Sequence, residues 1–167
     1  MSYAIADLNQ MDQEAFVAAL GVVFENTPAI AQQAWENRPF ADGFTLHQAM
    51  VNIVNAMDRE DQLALIRAHP DLGSKARMAE ASVQEQAGVG LDRLTPQEFE
   101  RFQTLNQRYK DTFGFPFIIA VKNHTKTSIL EAFARRLQNP IEIEINQALT
   151  EIAQIAQFRL MDLIEKS

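Results

Sequence analysis

Apolar residues recur along this chain with a helical period almost from end to end. Between Asp12 and Phe24, the side chains of Phe16, Leu20, Val23 and Phe24 fall on one stripe, and Asn9 or Asp12 can cap its start. Thr27-Pro28 predicts a second start, because threonine suits the N-cap and proline the first helical position; Trp35 closes that short helix. Thr45 and Gln48 have capping-box spacing ahead of Leu46, Ala49, Met50, Ile53, Val54 and Met57. Asp58 caps a helix carrying Leu63 and Ile66, which weakens near His69 because Pro70 disfavours helical backbone in its predecessor.

From Gly73 to Gly90 small residues blur the period, and a helix is expected from Ser82. Thr95-Pro96 with Glu98 starts a helix through Phe99, Phe102, Leu105, Tyr109 and Phe113 to a Gly114 stop. Phe115 to Val121 has strand composition, yet Pro116 and the lack of a partner run argue against a sheet. Thr127 to Leu137 is helical and ends at Asn139-Pro140, and the longest helix runs from Ile141 to Ile164. No repeat or linker divides the chain. The expectation is all-α: one helical bundle over residues 1–167, about eight helices with one extended apolar connector.

Charge and composition narrow the chemistry. Lys and Arg total 15 against 22 Asp and Glu, a net charge of −7 over 167 residues. With no basic face to neutralise phosphates, nucleic acid is not an expected partner. Cysteine is absent, which removes thiolate nucleophiles and Cys-ligated metals, and only 3 histidines argue against a His-rich metal site. No apolar run approaches the roughly 18 residues of a membrane span, and the N-terminus has no secretory pattern. What remains is histidine, carboxylates, arginine and backbone groups.

Helix packing alone does not account for four places. His69-Pro70-Asp71-Leu72 sets a histidine at a helix end, either as a cation favoured by the terminal carbonyls or as a general acid–base titrating near neutral pH. Ser82-Val83-Gln84-Glu85-Gln86 has capping-box spacing, and the same geometry suits a polar or anionic ligand at a helix N-terminus. Arg159 is the third. With Ile145 at zero and about 100° per residue, Leu149, Ile152, Ala156 and Leu163 fall within roughly 40°, and Arg159 lands in the same stripe. It needs a buried partner, an internal acid or a substrate carboxylate. The fourth is Phe113 to Val121, a connector through the core whose backbone groups need partners that a planar, amide-rich ligand could supply.

The other candidates read as structural. His47 and His124 lie at or near the surface, and Trp35 to Phe40 is a helix stop whose aromatics anchor a loop. Asn106 and Tyr109 share a face and hold backbone groups, and Glu142 and Glu144 decorate the start of the last helix. No P-loop, dinucleotide fingerprint or Ser-His-Asp order supports phosphoryl or hydride transfer.

Taken together, these places resemble the family of 2-oxo-4-hydroxy-4-carboxy-5-ureidoimidazoline (OHCU) decarboxylases. The likeness rests on Phe24-Glu25-Asn26-Thr27-Pro28, on Trp35 with Arg38-Pro39-Phe40, and on Leu65 through Leu72. It continues through Ser82 to Gln86, Asn106 with Tyr109, Phe113 to Val121, and Ile155 through Leu160. The resemblance implies a cofactor-free, metal-free carboxy-lyase that releases CO₂ from OHCU to give (S)-allantoin, in an all-helical homodimer. It implies His69, Glu85 and Arg159 as catalytic residues. Pro70, Ser82, Gln86 and the backbone of Phe117, Ile118, Ile119, Ala120 and Val121 join Arg159 as substrate contacts. The chain ends Ile164-Glu165-Lys166-Ser167, without a peroxisomal address, so a cytoplasmic, bacterial setting is expected. The competing class is a non-enzymatic helical module binding a ureide or purine-related ligand; it does not require His, Glu and Arg to face one cavity.

Overall fold

Side-chain caps decide where most of the helices begin. The computed structural model describes residues 2–73 and 80–165, and these fold as α-helices with no strand among them. Nine α-helices are present among the described residues, one more than expected: α1 (Ile5–Gln10), α2 (Gln13–Leu20), α3 (Ala29–Trp35), α4 (Gly43–Ala56), α5 (Arg59–Arg67), α6 (Glu80–Gly88), α7 (Pro96–Phe113), α8 (Lys126–Arg136) and α9 (Ile141–Leu163). The addition is α1, too short to show a period. No described helix is long and apolar enough to cross a membrane.

Caps account for the successes and the misses. Asp12 accepts from the Ala15 N–H at 2.8 Å and Asp58 from the Asp61 N–H at 2.8 Å. The Thr95–Glu98 capping box is complete, and its backbone bond from Thr95 holds the Glu98 carboxyl below its usual range. Gly114 ends α7 at φ 81°, where a Cβ would be strained. Two expected starts move. Asp42, not Thr45, caps α4: its carboxylate takes both the Thr45 N–H and hydroxyl at 2.8 Å, a better acceptor than a hydroxyl. Thr27 does not cap α3, because its hydroxyl donates to the Glu25 carbonyl at 2.7 Å and closes a turn there.

The chain forms two compact units, one made of residues up to Leu65 with those from Ala153 onward, the other of Ile66–Ile152. In the first, α3 packs against α2 and α4, and Phe16 stacks on Phe40 with centroids 6.2 Å apart. Trp35 donates to the Met11 carbonyl at 2.8 Å, and the Arg38 guanidinium lies 4.0 Å over its ring, so the loop after α3 is anchored as expected. In the second, α7 packs against α8, and Tyr109, Phe117 and Phe133 form an aromatic core with Phe117 and Phe133 stacked at 3.8 Å. Residues 115–121 have no α-helix and every one of them is buried.

Candidate active site

The second unit holds His69 in a segment fastened on both sides. At the end of α5, Arg67 Nε donates to the Gly114 carbonyl at 3.1 Å, and just beyond it the His69 N–H donates to the Ile66 carbonyl at 3.2 Å. Beyond it, Lys110 pairs with Asp71 at 2.8 Å and Asn106 Nδ2 donates to the Leu72 carbonyl at 2.8 Å. The Gly73 N–H then donates to Gln86 Oε1 at 2.9 Å. Gly73 needs to be glycine: its φ is +67°, and a Cβ would come 2.7 Å from Leu94 Cδ1. His69 itself is buried, 8% exposed, beside the half-buried Pro70. The backbone that carries His69 is thus tied down on either side of it.

The Ser82–Glu85 capping box does not form. Helix α6 begins at Glu80, so Ser82 sits inside its first turn rather than at the cap. Ser82 and Gln86, four residues apart, share one face and are both buried, while Glu85 is half-buried. Helix α6 packs against the single 3₁₀ turn at Val121–Asn123, which follows the connector. Gln86 thus ties α6 to the His69 segment while α6 rests on the connector's end. Residues 74–79, part of the stretch expected to be irregular, lie outside the described residues.

Side chains, not a neighbouring strand, satisfy the connector's backbone. Arg136 Nη1 donates to the Ile118 carbonyl at 2.6 Å, and the Ala120 N–H donates to Glu151 at 3.1 Å. Part of what a ligand was expected to supply is therefore met internally. Arg136 lies 4.4 Å over the Phe117 ring and pairs through Nε with Glu144 at 2.8 Å. Glu144 also accepts from Tyr109 Oη at 2.5 Å and Asn139 Nδ2 at 2.9 Å. Burial, then the bond to Glu144, push the Tyr109 phenol well above its ordinary pKa.

This network corrects two expectations. Glu144 does not decorate a helix start; it is fully buried because three donors converge on it. Tyr109 holds that carboxylate rather than a backbone group, whereas Asn106 does hold one. Arg136 is not singled out by the sequence reading, although it continues the buried face of Ile129, Ala132 and Phe133 at helical spacing. The two remaining histidines are tied down: His47 Nε2 bonds the Ala153 carbonyl at 2.8 Å and His124 Nδ1 bonds Ser128 at 3.0 Å.

Arg159 belongs to the first unit. It is 6% exposed, as its place on the apolar stripe predicts. Its Nη1 meets Glu25 Oε2 at 2.9 Å, so an internal acid serves as its partner, and Glu25 is 1% exposed. The same nitrogen reaches the Val22 carbonyl at 3.4 Å.

With this geometry in hand, the relatives speak directly. The family model described as OHCU decarboxylase matches residues 9–161. A uric acid degradation bifunctional protein of Bacillus subtilis is 48% identical over 97% of this chain, which spans 33% of that longer protein. An OHCU decarboxylase of Halalkalicoccus jeotgali is 46% identical, covering 95% of this chain and 90% of its own length. Among solved structures, that of an (S)-allantoin synthase superposes with a TM-score of 0.81 at 31% identity, over 99% of this chain and 55% of the other. The chain belongs to the OHCU decarboxylase family.

Proposed function

We propose that this chain decarboxylates OHCU to (S)-allantoin and CO₂ in urate breakdown, with His69 moving the proton, Arg159 anchoring the substrate and Glu85 orienting it. Family membership supports the reaction; the fastening of the buried His69 segment to α6 and α7 is the observation that carries the site assignment. Loss of CO₂ leaves an electron pair that must be delocalised, and the substrate's own conjugated ring nitrogens accept it without a cofactor. The new carbon–hydrogen bond then forms with one proton delivered to one face, and a single fixed imidazole is suited to that selectivity.

The other residues divide the binding. Arg159 offers planar, charge-assisted donors to a carboxylate or ureido oxygen. Ser82 and the Gln86 amide N–H₂ face the ligand from one side of α6, and Glu85 sets the hydroxyl and ureido groups while keeping the substrate carboxylate from swinging toward it. In an extended segment the amide groups of successive residues alternate in direction. The Ile118 carbonyl and Ala120 N–H are taken by Arg136 and Glu151, which supports assigning the amide groups of Ile119 between them to the ring edge of the ligand. Pro70 limits the backbone beside His69, and the side chains of Phe117 and Val121 form the connector's apolar flanks.

The decisive experiment adds the protein to freshly generated urate-oxidation product and follows optical activity as allantoin accumulates. Faster formation of a single enantiomer is the expected result. Racemic product at the spontaneous rate would leave a ureide-binding module and no enzyme. His69→Ala should keep substrate binding and lose about 10²- to 10⁴-fold in turnover; near-normal enantioselective turnover in that variant would remove His69 from the mechanism. A homodimer in the cytoplasm completes the proposal. The exposed Phe44 and Met161, 71% and 61% accessible, support self-association, and sedimentation and cell fractionation test the two parts.

A further inference from the structure

The turn Glu25-Asn26-Thr27 has no part in the reaction as described, yet it is built at some cost. Asn26 has φ 46°, in the left-handed region that residues with a Cβ rarely enter and asparagine tolerates best. The Thr27 hydroxyl closes the turn on the Glu25 carbonyl at 2.7 Å. The result is a glutamate, 1% exposed, whose carboxylate lies 2.9 Å from Arg159 Nη1. Folding alone does not ask for this, since apolar residues of similar volume in place of a buried ion pair are often neutral or stabilising. Backbone strain of this kind gathers where geometry serves a ligand.

The geometry shows what the pair accomplishes. Two acceptors share one terminal nitrogen: Nη1 donates to Glu25 Oε2 at 2.9 Å and to the Val22 carbonyl at 3.4 Å. A guanidinium is planar and its N–H directions are fixed, so two acceptors on one nitrogen set the plane of the whole group. Glu25 immediately precedes Asn26 and Val22 lies three residues before Glu25, so one short segment supplies both acceptors. We propose that Glu25 is a positioning residue for the decarboxylation: it holds the guanidinium plane of Arg159 in the orientation that receives the substrate, and acts on the reaction only through Arg159. This rests on the assignment of Arg159 as the anchor.

Three variants and one second background test it, with stereospecific allantoin formation as the readout and circular dichroism confirming the fold. Glu25→Gln keeps an oxygen in reach of Nη1 and should hold kcat/KM within about fivefold of the parent protein. Glu25→Asp, one methylene short, and Glu25→Ala should each lose about 10- to 100-fold, since misorienting a bound group is that costly. In an Arg159→Lys background there is no plane to set, and the same changes should move kcat/KM by less than about threefold. Equal losses in both backgrounds, or Gln as damaging as Asp, would overturn the proposal. Should the Ala variant not fold, the Gln and Asp comparison decides alone. A parent protein that fails to accelerate the reaction overturns the function first, before any variant is made.

Discussion

Two buried arginine–glutamate pairs, one in each unit, have the same chemistry and different surroundings. Arg136 and Glu144 are held from several sides within their own unit: Tyr109 and Asn139 complete the carboxylate, the Ile118 carbonyl takes one guanidinium nitrogen, and Phe117 lies under its face. Arg136 Nη2, without a hydrogen-bond partner among the described residues, gains its compensation from the aromatic ring beneath. Arg159 Nη1 meets Glu25 beside a strained turn and also reaches a main-chain carbonyl, that of Val22. The first pair locks a backbone segment in place; the second aims a cation. Burial of a charge by itself therefore does not distinguish a structural pair from the one proposed to serve the substrate; the variants below do.

The sharpest way to break this contrast is Glu144→Ala. It leaves Arg136 buried and uncompensated and should cost about 3 to 5 kcal/mol of stability, read by chemical denaturation. Arg159→Lys conserves charge and should leave the denaturation midpoint nearly in place while kcat/KM falls about 30-fold, equivalent to about 2 kcal/mol of transition-state binding. An unchanged kcat/KM would make the second pair as structural as the first. Tyr109→Phe removes one donor to a buried carboxylate and should cost about 1.5 kcal/mol near neutral pH. Because the native state raises the Tyr109 pKa above its ordinary 10.0, that contribution is fully present below about pH 10 and is lost as pH climbs beyond it. The parent and Tyr109→Phe stability curves should therefore converge in alkali. Smallest is Asn139→Ala, at about 0.5 to 1 kcal/mol, since Tyr109 and Arg136 still serve Glu144.

The helical class and most helix ends were legible because they depend on local rules: an acid or hydroxyl before a helix, a glycine after it, a period of 3.6. Arg159 stood out for the same reason, as a charge on an apolar stripe. Applied to α8, that test would also have found Arg136. Glu144 was harder. It lies about 100° off the Ile145 stripe, and its burial comes from donors on other parts of the chain. A weaker signal was present: Glu144, Ala148 and Glu151 recur at i, i+4 and i+7 and are all buried, marking a second covered face on α9. The Thr27 start misled because a hydroxyl can close the preceding turn as well as cap the following helix, and sequence spacing does not separate the two. Glu25 lay inside a recognisable motif, yet its partner is more than a hundred residues away in the chain.

The connector has a consequence for how this protein can change. The Ile118 carbonyl and the Ala120 N–H are bonded by Arg136 and Glu151, side chains that stand where a neighbouring strand would in a sheet. The connector's opposite edge is main chain, and main chain is common to every amino acid. Substitutions at Ile119 that preserve shape would leave such an edge intact, and only proline would delete its N–H. The vulnerable positions are the remote ones, Arg136 and Glu151: in the proposed site, drift in recognition would enter through the residues that hold the connector rather than through the connector itself.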